Sequence, residues 1–225
     1  MDSADPVTQM VGSQALFDFI AENAGRAPDF WGRYIGGNYA LVPMEAQFLH
    51  NRGCKILIIY NGTHNSPASV QGGYQEGVLD ATRAITAAQG LGVPGGTWIY
   101  ADIEASWKPT PEWFKGWSDT MLTSVYGGAG GVYGNPHPAN SANFNIPYCA
   151  AYTSDPNMQG DVDRAAHVYS SEPQPGCTSA ANAPAYVPMN PPCNPKTVIW
   201  QYAEGCFNGY VDEDLANDKG FSSMW

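Results

Sequence analysis

Apolar and polar positions follow two rhythms along this chain, and the rhythms take turns. Residues 54–60, Cys-Lys-Ile-Leu-Ile-Ile-Tyr, form a nearly continuous apolar run, which predicts a strand buried on both faces, as in a parallel sheet. Tyr74, Val78, Ala81, Ile85 and Ala88 then recur at helical spacing, and Gly90 and Gly92 mark the end of that helix. Residues 97–104, Thr-Trp-Ile-Tyr-Ala-Asp-Ile-Glu, return to the strand type, rich in β-branched and aromatic side chains. Side chains alternate along a strand, so Asp102 and Glu104 share one face and Ile99, Ala101 and Ile103 the other. Thr110-Pro111-Glu112 starts a further helix with the stripe Phe114, Trp117, Met121 and Val125. Short strands are expected at residues 130–134, 147–152 and 198–202, the last of the chain.

The first quarter shows the same alternation. Asp5-Pro6 is expected to start a helix with Leu16, Phe19, Ile20 and Ala24 on one face. Residues 29–35 predict a strand ending at Gly36-Gly37. Residues 43–52 predict a short helix with Met44 and Phe48 turned inward, stopped by Gly53. Repeated strand–helix units indicate a parallel α/β protein, either a doubly wound sheet or a barrel. No GxGxxG follows a strand and no Walker motif occurs, which weakens nucleotide-binding versions of the first. The number of strands and the length of 225 residues favour a (β/α)8-type TIM barrel. It is expected to be irregular in its second half, because seven prolines fall between Ser171 and Pro195 and make that stretch a loop. With no internal repeat or linker, residues 1–225 read as one domain.

Composition narrows the partners. Charged residues make up 14% and the net charge is −11, which argues against nucleic acid and anionic membrane, since both select clustered Lys and Arg. A weakly charged polymer such as a glycan remains compatible. No apolar run approaches the ~20 residues of a membrane span. The N-terminal residues lack a signal-peptide pattern, so the chain is expected either to be made in the cytosol or to have lost its signal. A monomer is expected. Of the five cysteines, Cys54 opens an apolar strand and reads as a buried thiol, while Cys177 and Cys193 bracket the proline-rich loop and are the disulfide candidates.

Candidate chemistry centres on Asp102 and Glu104, because two close carboxylates are the minimum equipment for cleaving a glycosidic bond. Glu104 would protonate the leaving oxygen, a role that needs a raised pKa, and Asp102 would stay ionised beside the anomeric carbon. Tyr34, Tyr60, Tyr100, Trp107, Tyr133, Tyr152, Trp200 and Tyr202 lie at or after strand ends, where aromatic faces stack on sugar rings, and Gln201 is placed to donate to substrate. Barrel packing explains many of the same aromatics. Arg33 inside a strand needs a buried acidic partner. His50, His64, His137 and His167 show no metal-ligand spacing, so neither metal nor cofactor is expected. Asn61-Gly62-Thr63 matches a glycosylation sequon, with a turn as the simpler reading.

Taken in order, these pieces resemble a known family. Asp102-x-Glu104 looks like the acidic pair of family-25 glycoside hydrolases, the muramidases, and Trp200-Gln201-Tyr202 followed by Gly209-Tyr210-Val211-Asp212 resembles their last strand and closing acidic turn. Gly32-Arg33-Tyr34-Ile35, Glu45, residues 77–84 before Gly92-Val93-Pro94, and Ile99-Tyr100-Ala101-Asp102 are nearer to the related glycoside-hydrolase-like barrels of the domain-of-unknown-function class. The resemblance implies cleavage of β-1,4 bonds in peptidoglycan by a cell-wall hydrolase such as a phage lysin. It also implies a further aspartate at the end of strand one, where Asp2 stands, with Asp5 as fallback, and a site role for Asp212, which otherwise reads with Glu213 and Asp214 as the first turn of a helix. A 2-acetamido group acting as internal nucleophile is one implied route. Two alternatives stay open: a glycan-binding barrel without turnover, and a metal-dependent phosphodiesterase using Asp102, Glu104 and Asp212.

Overall fold

The computed structural model describes residues 1–62, 64–128, 130–160, 167–193 and 195–225; Thr63 of the sequon lies outside them. After a small antiparallel hairpin of β1 (Met10–Val11) and β2 (Gln14–Ala15), α1 (Leu16–Ala24) leads into one sheet of seven strands in sequential order. These are β3 (Phe30–Ile35), β4 (Lys55–Tyr60), β5 (Ile99–Asp102), β6 (Gly131–Gly134), β7 (His167–Ser170), β8 (Thr197–Gly205) and β9 (Val211–Ala216). Strands β3 to β8 pair in parallel, and β9 returns antiparallel on β8. The crossovers carry α2 (Pro43–Asn51), α3 (Pro67–Gln71), α4 (Tyr74–Leu91), α5 (Pro111–Leu122), α6 (Asn145–Ser154) and α7 (Pro156–Gln159). The one-turn α8 (Cys206–Gly209) joins β8 to β9, and α9 (Asp218–Ser222) follows.

The two faces of the sheet differ. Trp31, Ile56, Ile58, Ala101, Val132, Val168 and Trp200 pack outward against the helices, whereas Phe30, Leu57, Ile59, Tyr100, Tyr169 and Ile199 fill a second, inner cluster. The sheet edges are joined through one residue: Asp2 bridges in parallel to Gly32 on β3 and antiparallel to Asp212 on β9. Gly32 is required there, since a Cβ at that position would lie 2.5 Å from the Asp2 Cβ. The complete eight-stranded barrel expected from the sequence is thus corrected to a curled, seven-stranded mixed sheet with a single-residue bridge between its edges. α4 and α5 approach closely outside it, because a Cβ on Gly77 or Gly116 would meet the other helix's backbone at 2.2 and 2.1 Å.

Four further expectations change. Asp5-Pro6 starts no helix; α1 begins at Leu16, after the hairpin. In α2 it is Glu45, Ala46 and Leu49 that are buried, while Met44 is exposed, because Glu45 answers Arg33: their side chains pair at 2.7 Å in the interior. Residues 147–152 belong to α6, whose Tyr148 packs on Phe114 and Phe144; the strand place is taken by His167–Ser170. Asp212, Glu213 and Asp214 lie on a strand rather than in a first helical turn, held by pairing with β8.

The disulfide pairing differs as well. Cys177 does not bond Cys193; Cys149 bonds Cys193 and Cys177 bonds Cys206, leaving Cys54 free and buried. The proline-rich loop is therefore stitched at one point to α6 and at another to the β8–β9 turn, instead of being closed on itself. Burial pushes the Cys54 thiol up to about 12.

Candidate functional site

At the C-terminal ends of the parallel strands a cavity of about 240 Å³ is lined by Asp2, Tyr34, Ile59, Asp102, Glu104, Tyr133, Tyr169, Gln201, Glu204 and Asp212. Alternation puts them there. Tyr34 on β3, Ile59 on β4, Asp102 on β5, Tyr133 on β6 and Tyr169 on β7 all occupy inward positions, each flanked by residues facing the helices.

The acids are fixed from several sides. Asn61, the first residue after β4, donates to Asp102 Oδ2 at 2.6 Å, and Asn65 donates to the Asp102 carbonyl at 2.9 Å. Gln201 spends its whole amide on the site. Its Nε2 donates to Asp2 Oδ2 at 3.2 Å and to Asp212 Oδ2 at 3.1 Å, while its Oε1 accepts from the Tyr133 hydroxyl at 2.8 Å. The Gly205 N–H donates to Asp212 Oδ1 at 2.7 Å. Arg33 works from behind, donating to the Ser3 and Ala4 carbonyls as well as to Glu45, so the segment carrying Asp2 is tied down.

Beneath the cavity the Tyr169 hydroxyl lies 2.6 Å from both Asp2 Oδ2 and Asp214 Oδ1. A phenol has one proton to donate, so contact with both carboxyl groups requires one of them to bring a proton of its own. Complete burial, then the charge of Asp2, pushes Asp214 well above the usual carboxylate range, against the N-terminal ammonium 3.2 Å from its Oδ2.

Asp102, Asp212 and Glu104 shift in the same direction. Burial, followed by the charge of Glu104, raises Asp102 to about 7 against the opposing hydrogen bond from Asn61. Burial, then Asp2, raises Asp212 to about 7 despite the Gly205 N–H. Glu104 stands at the mouth, exposed, and is raised by partial burial and then by Glu204. Tyr34 and Tyr133 are both raised by burial and by these carboxylates, so they remain neutral hydrogen-bonding groups. Every charged residue lining the cavity is a carboxylic acid.

Of the residues singled out from sequence, Asp2, Tyr34, Asp102, Glu104, Tyr133, Gln201 and Asp212 converge on this cavity. Six aromatics and the fallback Asp5 do not line it. Tyr60 faces the helical layer and packs on Trp117, and Tyr100 is buried edge-on to Tyr169. Trp107 packs at the outer core, Tyr152 belongs to α6, Trp200 donates its indole N–H to the Pro173 carbonyl, and Tyr202 packs on Trp200. Three lining residues were not singled out from the sequence: Ile59, read only as part of an apolar strand, Tyr169 and Glu204. Tyr169 sits on a four-residue strand whose His-Val-Tyr run was its only signal. Glu204 lies beyond an irregularity in β8 that no periodicity foretells.

A structure of an uncharacterized B. stearothermophilus protein superposes with a TM-score of 0.84 at 29% identity, over 100% of this chain and 98% of that one. The Tat-secreted protein Rv2525c of Mycobacterium tuberculosis, in complex with L-tartrate, gives 0.61 at 18% identity over 100% and 97%. The modular autolysin LytC of Streptococcus pneumoniae, in complex with a synthetic peptidoglycan ligand, gives 0.51 at 13% identity over 94% of this chain and 44% of that one. No curated protein sequence matches. The model of the Rv2525c-like, glycoside hydrolase-like domain matches residues 26–210, which takes in Glu104, Asp102 and the whole parallel part of the sheet, and the chain belongs to that family.

Proposed function

We propose that this domain hydrolyses a β-1,4 glycosidic bond in peptidoglycan or a related N-acetylated cell-wall glycan. The observation that carries the reading is the nearness of Glu104, at the open mouth, to buried Asp102 two residues before it, in a cavity where Gln201 holds Asp2 and Asp212. Glu104 is the proton donor: among the described residues no side-chain hydrogen bond commits its carboxyl elsewhere, and its pKa is raised towards the acid form. Asp102, expected from the sequence to stay ionised, is raised to about 7 by burial and then by the charge of Glu104, so it is neutral below that pH and charged above it. Asp2 and Asp212, held side by side, face the anomeric centre and stabilise its positive charge or orient a 2-acetamido group.

A cell-wall setting is supported by two relatives of this fold, one Tat-secreted and one an autolysin crystallised with a peptidoglycan ligand. Two disulfides suit an oxidising compartment. Among the described residues no helix is long and apolar enough to cross a membrane.

The test is release of reducing sugar from purified cell walls by the intact protein and by Glu104→Gln. Activity in the wild type, lost by 10²-fold or more in the variant, supports the reading. Equal activity removes Glu104 from the mechanism. Glycan binding without product in the wild type identifies a binding module built on a hydrolase frame.

A further inference from the structure

β8 carries an extra residue where it runs beside β9. Gln201 stands opposite Asp214 and Ala203 opposite Glu213, so two residues advance on β8 while one advances on β9. Such a bulge reverses the parity of everything beyond it. Counting by twos from the inward Gln201, Glu204 would fall on the outer face with Tyr202. With the bulge, Ala203 joins the outer cluster and Glu204 turns into the cavity beside Glu104.

The segment that follows is built to hold this arrangement. Gln174, from the proline-rich loop, donates to the Glu204 carboxylate. The next residue, Gly205, uses its N–H on Asp212, and Cys206 is bonded to Cys177 of the same loop. The turn is strained: Phe207 and Asn208 both have positive φ, 50° and 66°, a region that a bulky side chain seldom adopts. Backbone strain of this kind persists only where surrounding contacts over-determine it, and here the disulfide and the Gly205 contact to Asp212 do so.

We propose that Glu204 is a positioning residue of this site, turned inward by the β8 bulge and clamped by Gln174 and the Cys177–Cys206 bond so that its carboxylate opposes a second negative charge on Glu104. It acts through Glu104 and touches no reacting atom, and the inference rests on the reading of Glu104 as the proton donor. The groups that face Glu104 are otherwise Asp102 at the end of β5, Asp2 from the N-terminal bridge, Asp212 from β9, Tyr34 from β3 and Tyr133 from β6. None is a cation, so nothing in the lining offsets the charge of Glu204. The direction of the Glu104 shift agrees, with Glu204 its second cause after burial.

The experiment compares wild type, Glu204→Gln, Glu204→Asp and Gln174→Ala in the full chain. Two quantities are read: the Glu104 titration midpoint by carboxyl ¹³C NMR, and the pH profile of cell-wall hydrolysis. Loss of the Glu204 charge is expected to lower the midpoint by roughly 0.3–1 pH unit and to move the alkaline limb of the profile down with it. Glu204→Asp keeps most of the shift, and Gln174→Ala loses part of it. An unmoved midpoint in Glu204→Gln overturns the proposal, as does a fall in melting temperature without any change in midpoint. The NMR midpoint is read without substrate, so absent hydrolysis in the wild type would sink the hydrolase reading while leaving the role of Glu204 to be decided separately.

Discussion

Asp2 and Asp212 exchange a reciprocal pair of backbone hydrogen bonds, Asp2 N–H to the Asp212 carbonyl at 3.1 Å and Asp212 N–H to the Asp2 carbonyl at 3.0 Å. Two acids 210 positions apart are thereby held side by side, and the single amide of Gln201 reaches both carboxylates. The joint between the sheet edges and the acidic half of the site are one construction. Loosening it should disturb both.

Gln201→Leu tests that joint. The change strips a donor from Asp2 and Asp212 and leaves the Tyr133 hydroxyl without its acceptor. Unmade buried hydrogen bonds cost ~1–3 kcal/mol, so the melting temperature is expected to fall by a few degrees in a calorimetric scan. Hydrolysis should drop by at least tenfold. A variant with wild-type melting and activity would show that the amide does not organise these acids.

Asp102→Asn is expected to separate stability from activity. The folded pKa of Asp102, about 7, lies above its ordinary value of 3.8, so the folded state holds a proton that the unfolded chain has lost. Stability therefore declines as pH rises from about 4 to about 7 and is lowest above that window. Asparagine carries no charge to desolvate and can still accept from Asn61. At pH 8 the variant should melt several degrees higher than wild type, with the gain fading near pH 4, while cell-wall hydrolysis is lost. A variant less stable than wild type at pH 8 would contradict the burial argument.

Glu45→Ala removes the partner of a fully buried Arg33. An uncompensated interior guanidinium costs ~3–5 kcal/mol. Because Arg33 also holds the Ser3 and Ala4 carbonyls, the loss should reach Asp2 and lower hydrolysis along with the melting temperature. The paired change Arg33→Met with Glu45→Leu is expected to regain most of the stability and not the activity, measured by thermal melts and reducing-sugar release.

Disulfide chemistry offers a direct count. Unfolded without reductant, the chain should take up one alkylating group, at Cys54, and after reduction five. Peptide mapping should find Cys149 linked to Cys193 and Cys177 to Cys206. Closing loops of 29 and 44 residues contributes ~3.5–4 kcal/mol each in the chain-entropy account, so serine replacement of either pair should cost several degrees. Recovery of a Cys177–Cys193 peptide would refute the pairing.

Much of this protein is legible in its residue order. The continuous apolar run at 54–60 and the alternation through residues 97–104 are local patterns, and strands stand at Lys55–Tyr60 and Ile99–Asp102, with Asp102 and, just past the strand end, Glu104 lining the cavity. The Thr110-Pro111 helix start is local too, and Thr110 accepts from the Trp113 N–H as its cap. Other features have no local signature. Whether residues 147–152 become strand or helix is decided by what they pack against, and Phe114 and Phe144 favour the helix. The cysteine partners depend on which elements the proline-rich loop crosses. The inward turn of Glu204 depends on one unpaired residue between β8 and β9. The meeting of Asp2 with Asp212 requires the sheet to curl until its edges are one residue apart. Side-chain periodicity is set by bonds between neighbours in the chain, whereas pairing, crossing and closure are set by neighbours in space, and only the folded chain supplies those.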